Sequence, residues 1–327
     1  MFDSYIETGL GRLARLIGPE LVEIAVNPDG GVWIEQLGDA FMTRAGVTVS
    51  PKEAAEITLQ IASEGAVRMS EKNPVGSASF EFRGWLVRAQ IVQQPAVRGA
   101  HSISMRFFRS DTDVVPPEYL FGQAISASER RREVIEEVAR LSQGDIQGAL
   151  RLCVQSKLNV VVSGGTSSGK TMLARWMVAQ IDDRERILTI EDVPDLMPAQ
   201  PNKVMMVSAR ASEVRSPNAL LQASLRMRPD RIILSEVTGE DSYTFLKAVN
   251  TGHGGSITTV HAESAELAIE RMAQTALEAK GQMTYQDMIG YVTRSIDVIV
   301  HVAKQDGRRG VLQVYQPSEF GAVQTRR

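Results

Sequence analysis

The sequence has one cysteine, Cys153, among 327 residues. A single thiol excludes an internal disulfide and any multi-cysteine zinc or iron–sulfur site. Long apolar runs are also missing, and no stretch approaches the roughly 18 residues that would argue a membrane span. There is no excess of basic charge: 36 Lys and Arg against 39 Asp and Glu leave a formal net charge of −3, and the sequence pI is about 5.9. Nucleic-acid-binding domains are usually basic, so direct contact with nucleic acid is not expected. The opening MFDSYIETGL carries Asp3 and Glu7 where a signal peptide would carry basic residues. These absences lead us to expect a cytoplasmic protein in a reducing environment. What is present is ordinary for a folded protein, 43% hydrophobic and 23% charged residues, over a length that suits two domains better than one.

The spacing of Tyr5, Ile6, Leu10, Leu13 and Ile17 predicts an amphipathic opening helix. Strands are expected over 21–26 and 32–36, joined by the turn Asn27-Pro28-Asp29-Gly30-Gly31. Ser50-Pro51-Lys52-Glu53 has the form of a capping box with proline at the first helical position. Ala54, Ile57 and Ile61 would form the buried face of that helix. A second hairpin is expected over 79–82 and 85–92 around Arg83-Gly84, with a further strand over 101–108. Residues 1–109 thus read as a small α+β N-terminal domain. Residues 110–117, polar and ending in two prolines, read as a linker, which we extend over 110–127. Helices are expected over 128–141, capped by Ser128, and over 145–156. From Leu158 onward short apolar runs alternate with helical segments, so 128–327 reads as an α/β domain with a mostly parallel sheet.

The most specific signal is local. The β-branched run Asn159-Val160-Val161-Val162-Ser163 leads into Gly164-Gly165-Thr166-Ser167-Ser168-Gly169-Lys170-Thr171, after which 172–181 reads as a helix. This is the phosphate-binding pattern in its strand–loop–helix setting. The glycines let backbone N–H groups turn toward phosphate oxygens at a helix N-terminus. In that pattern Lys170 reaches the β- and γ-phosphates and the Thr171 hydroxyl ligands Mg²⁺. Hydrolysis also needs carboxylates to hold the metal and position water. Glu191 and Asp192 close one expected strand, and Glu236 closes another, where open α/β sheets place their sites. The glycine-rich stretch 250–256, which holds His253, leads to a strand ending at His261. At that position a histidine either contacts a γ-phosphate or satisfies a local backbone group.

Four blocks in this order resemble the secretion ATPase superfamily: GGTSSGKT from Gly164, TIEDVPDL from Thr189, LRMRPDRIILSEV from Leu225 and TGHGGSITTVHA from Thr251. LRMRPDR, Pro201-Asn202 and the HSISMR segment from His101 look most like the VirB11-like branch used in type IV secretion and conjugation. The resemblance implies an α/β, RecA-like P-loop ATPase domain preceded by the small α+β domain. It also implies ATP and Mg²⁺ as ligands and a homohexameric ring moved by hydrolysis. Further implied are partners among the cytoplasmic and inner-membrane subunits of a secretion machine, and only peripheral membrane contact. By match to the motifs, Lys170, Glu191, Glu236 and His261 are the catalytic candidates. The loop residues 164–171 bind nucleotide and Thr171 and Asp192 hold the metal. Arg106, and as a weaker match Arg88, reach the phosphates from the N-terminal domain. The chain departs from the pattern at Ser235 and Thr238, where relatives usually carry glycine and arginine. Other readings are a pilus or type II secretion motor, although the four-cysteine zinc module of many type II members is excluded by the lone Cys153. A nucleotide-gated interaction module with little hydrolysis and a DNA translocase also stand as alternatives.

Overall fold

A computed structural model of the chain describes residues 9–109, 126–279 and 283–320. The linker expected at 110–117 lies outside the described residues, as do Tyr5 and Ile6. The chain divides into two compact units. One comprises 1–117 with 183–193 and 200–230; the other comprises 118–182, 194–199 and 231–327.

The first unit is built on a six-stranded sheet in the order β3-β2-β1-β6-β5-β4. Its strands are β1 (Leu21–Val26), β2 (Gly31–Gln36), β3 (Thr43–Thr48), β4 (Val75–Phe82), β5 (Trp85–Gln93) and β6 (His101–Arg109). Every pairing is antiparallel. The β1–β2 turn closes as expected: Asn27 N–H donates to the Gly31 carbonyl, and Asp29 Oδ1 accepts from Gly31 N–H. Gly30 stands at φ +83°, and a Cβ there would meet the Val49 carbonyl oxygen at 2.2 Å, so only glycine fits. Helix α1 (Pro51–Glu64) has the reciprocal Ser50–Glu53 capping box and buries Ala54, Ile57 and Ile61. With Ile24, Val26, Val87, Ile91, Ile103 and Met105 these side chains form the core of the unit.

The expected opening helix is corrected from Gly11 onward; its earlier part lies largely outside the described residues. Gly11–Leu16 is a 3₁₀ helix, with Leu10 and Leu13 buried. Gly11 at φ +49° ends any continuous α-helix, since a left-handed residue cannot propagate one. Strand β3 is an addition to the expected elements: it is a largely exposed outer strand whose apolar alternation amounts only to Ala45 and Val47. The unit also holds β8 (Ile187–Glu191), β9 (Lys203–Val207) and helix α5 (Pro217–Ser224), with β8 and β9 parallel.

The second unit carries the parallel run β12-β7-β11-β10, extended at β12 by antiparallel β13. These strands are β7 (Val160–Gly164), β10 (Arg231–Leu234), β11 (Ile257–His261), β12 (Val298–Gln305) and β13 (Arg308–Tyr315). β7, β10 and β11 are buried almost throughout, as strands covered on both faces must be. The helices are α2 (Ala127–Ser142), α3 (Ile146–Gln155), α4 (Lys170–Val178), α6 (Glu240–Asn250), α7 (Ala265–Ala279) and α8 (Tyr285–Ser295). The cap of α2 is Ser126 rather than Ser128, because Ser126 has Glu129 at the third helical position to complete a capping box. Among the described residues no helix is long and apolar enough to cross a membrane.

Candidate nucleotide site

The phosphate-loop pattern stands in the expected setting. Gly164 ends β7, Lys170 opens α4, and the loop between them turns through Ser167 at φ +58° and Gly169 at φ +104°. Gly164 is held tightly: an added Cβ would lie 2.3 Å from the Val302 carbonyl oxygen and 2.5 Å from Ser168 Oγ. Gly165 by contrast faces open space. Gly165, Thr166, Ser167 and Thr171 are exposed, whereas Ser168 and Lys170 are buried. The Ser168 hydroxyl has no hydrogen-bond partner among the described residues.

Lys170 is the centre of the site. Its ammonium donates to the carbonyls of Gly164 at 3.0 Å and Gly165 at 2.8 Å, and lies 3.3 Å from His261 Nδ1. Burial lowers its pKa, and the Glu236 charge pulls the other way. His261 reaches this point because β11 pairs with β7 in a register that sets His261 against Gly164. On its other side His261 Nε2 is 3.5 Å from Glu236 Oε1. An ammonium can only donate, so Nδ1 is the acceptor in this contact. Lys170, His261 and Glu236 therefore form one chain across the ends of three elements.

Glu236 lies just beyond β10, which closes at Leu234 rather than Ser235. The segment is fixed by Val237 N–H donating to the Thr259 carbonyl and Thr259 Oγ1 donating to the Ser235 carbonyl. Thr238 and Gly239 are turned by Asp241, whose Oδ1 accepts from Gly239 N–H at 2.8 Å. His253 sits apart in the loop before β11, its pKa lowered mainly by burial. Arg309 is a residue that sequence reasoning misses. From β13 its Nε donates to the Ser167 carbonyl at 2.8 Å, supporting the loop from outside. Its only signal in the sequence is a basic pair after the Asp306-Gly307 turn.

The other expected residues belong to the first unit. Glu191 is buried at the end of β8, and Asp192 follows it on the surface, its Oδ1 accepting from Val193 N–H. Arg88 and Arg106 are direct cross-strand partners on the exposed face of β5 and β6. Both guanidiniums lie over the Phe108 ring, at 5.2 and 5.5 Å from its centroid. Two like charges opposite one another are unfavourable, and the shared ring offsets part of that repulsion.

Residues 129–315 match the family model of type II/IV secretion system proteins. The type IV secretion system protein VirB11 of Bartonella quintana is 32% identical over 324 residues, covering 92% of this chain and 90% of that protein. The conjugal transfer protein TrbB of Rhizobium radiobacter is 32% identical over 302 residues, covering 90% and 83%. The crystal structure of the VirB11 ATPase from the Brucella suis type IV secretion system, in complex with sulphate, superposes with a TM-score of 0.79. It shares 28% identity and covers 95% of this chain and 97% of that one. The chain thus belongs to the type II/IV secretion system protein family and is a VirB11-like secretion ATPase, with a RecA-like ATPase domain and a small α+β N-terminal domain before it.

Proposed function

We propose that the chain hydrolyses ATP with Mg²⁺ within a homohexameric ring and drives a type IV secretion machine through motion of its N-terminal domain around the linker near 110–117. Its location would be the cytoplasm, in peripheral contact with the inner membrane through partner subunits. The observation that carries this reading is the Lys170 ammonium, buried and held by two loop carbonyls beside His261 and Glu236. A cation kept in place by weak neutral acceptors is poised to exchange them for phosphate oxygens, which bind it more strongly.

In this reading the amides of 164–169 and the N-terminus of α4 receive the phosphates, and Lys170 neutralises the β- and γ-oxygens. The residues suit a metal that rides on phosphate: Thr171 offers an exposed hydroxyl in the first turn of α4 and Asp192 an exposed carboxylate. Mg²⁺ would supply charge neutralisation across the β- and γ-phosphates. Glu236 accepts a proton from, or orients, the attacking water, with His261 Nε2 3.5 Å from its carboxylate. Glu191 is a second carboxylate in the same service. Arg88 and Arg106 contribute guanidiniums to the developing phosphate charge. The experiment is Mg²⁺-dependent phosphate release by the purified chain and by Lys170→Ala. A loss of two or more orders of magnitude is expected on the scale of such electrostatic contacts, and equal rates would overturn the reading.

A further inference from the structure

The most deeply buried cation of the first unit is not at the nucleotide loop. Arg186, fully buried, immediately precedes β8. Its Nη1 donates to Asn27 Oδ1 and to Asn202 Oδ1, each at 2.6 Å, and its Nε to the Met227 carbonyl at 3.0 Å. Its backbone exchanges two hydrogen bonds with Asp230, through Asp230 Oδ2 and Asp230 N–H. Arg228 completes the group with a two-pronged contact to Glu35 of β2, at 2.9 and 3.0 Å, and a third to Asp230 Oδ1 at 2.5 Å. Glu23 of β1 is buried between Arg106 and Glu35, its direct cross-strand partners.

The same stretch of chain is stitched to the N-terminal sheet elsewhere. Val97, in the β5–β6 connection, bridges to Met206 of β9. Arg98 N–H donates to the Met205 carbonyl and Val207 N–H to the Ala96 carbonyl, both at 2.8 Å. Arg215 Nη1 donates to the Pro95 carbonyl, and Arg226 Nη1 to Ser77 Oγ. Both ends of the β8–β9 pair are thereby pinned: one by Arg186, Asn202 and Asp230, the other by the bridge at Met206, whose partner in register is Ile190. Apolar side chains would pack this contact at lower desolvation cost than buried charges, but they would not fix its register.

We propose that Arg186 and Arg228 are positioning residues, which hold strand β8, and with it the acidic pair Glu191–Asp192, to the N-terminal sheet through Asn27 and Glu35. A strand of five residues transmits a displacement over roughly 17 Å without bending much. A shift of the sheet therefore reaches Glu191 directly, and no signal through the linker is needed. The inference rests on the reading of Glu191 as part of the hydrolytic site. It differs from that reading in saying what sets the position of Glu191.

The test separates the two. Glu35→Gln and Arg228→Gln should lower kcat for phosphate release at least tenfold, while affinity for a fluorescent ATP analogue stays within twofold and thermal unfolding stays cooperative. The reversed pair Glu35→Arg with Arg228→Glu should recover part of the loss. Rates within twofold of the parent in both folded single variants would overturn the proposal, whereas an active Lys170→Ala would overturn the site reading instead. If the variants do not fold, hydrogen exchange on the unaltered protein decides. With and without ADP, protection over 186–191 and 203–207 should change together with that over 23–27 and 95–98. Changes confined to one of the two sets would overturn the proposal.

Discussion

Glu23→Gln should stabilise the protein, and increasingly so as pH rises. Glu23 is 2% exposed, and burial pushes the pKa of its carboxyl up to about 7 from an ordinary 4.5. Arg186, Arg106 and Arg228 pull it down and Glu35 pushes it up, but loss of water outweighs these charges. Arg186 feels the same burial, which brings its guanidinium down to about 10, so it remains charged at neutral pH. The displacement for Glu23 corresponds to about 3 kcal/mol, at about 1.4 kcal/mol for each pH unit. Below pH 4.5 the carboxyl is neutral in both folded and unfolded chains and contributes no difference. Between 4.5 and 7 the unfolded chain releases this proton while the folded one keeps it, so stability falls as pH rises. Above 7 the full penalty of a buried carboxylate is present. The amide that replaces the carboxyl in the variant never ionises.

Urea unfolding at about pH 5, 6, 7 and 8 measures this linkage, with Trp33 and Trp85 as fluorophores in the same unit. The stability of Glu23→Gln minus that of the parent should grow by about 2–3 kcal/mol across the series and level off above about pH 7. A difference that is flat with pH, or that shrinks, would refute the reasoning. A shrinking difference would mean that the surrounding guanidiniums hold Glu23 as an ordinary ion-paired carboxylate, with stability lost on acidification instead.

Gly164→Ala drives a methyl group into the Val302 carbonyl, 2.3 Å from the ideal Cβ. It should cost about 1–3 kcal/mol in urea unfolding and abolish nucleotide binding, whereas Gly165→Ala, with nothing within 4 Å, should leave stability unchanged. Arg106→Ala removes one of the cations that favour ionised Glu23. The pH at which stability levels off should therefore move upward, a change that Arg88→Ala, which does not act on Glu23 in this way, should not reproduce. Both substitutions should weaken phosphate release, measured at saturating Mg-ATP, if each guanidinium serves the transferring phosphate.

The parts of the fold legible from the sequence are those whose physics lies within a short stretch of chain. The Ser50 box needs only four consecutive residues; the Ser126 box is as short, but the cap expected there is Ser128, two positions on. The phosphate loop needs eight residues and its two flanks, and both flanks are recognisable because β7 is fully buried and β-branched. The hairpin at Arg83-Gly84 is legible through Gly84 between two strand-like runs, and both turn residues take the positive φ that a tight two-residue turn requires. Strand β3 is not, since its alternation consists only of Ala45 and Val47, too short a signal beside Gly46 in a largely exposed outer strand. The expected opening helix does not continue past Gly11, where one left-handed glycine overrides an apolar spacing that runs on to Leu13 and Ile17.

The charged joint in the first unit is illegible for a different reason. Arg186 meets Asn27 across 159 positions and Arg228 meets Glu35 across 193, so no window of sequence contains either pair. Nor does residue type help: Glu, Arg and Asp are almost never fully buried unless paired, and a strand-end arginine ordinarily reads as solvated. The LRMRPDR segment is notable in the sequence only for its resemblance to relatives, yet two of its residues, Arg228 and Asp230, clamp the start of β8. The acidic box at the far end of that strand draws attention because carboxylates at strand ends suggest chemistry. Its partner at the near end draws none, because positioning has no residue signature of its own. For a motor this asymmetry matters. The candidate phosphate-binding groups can be read from a motif, while the groups proposed to hold the acidic strand end to the sheet are visible only once distant segments are packed together.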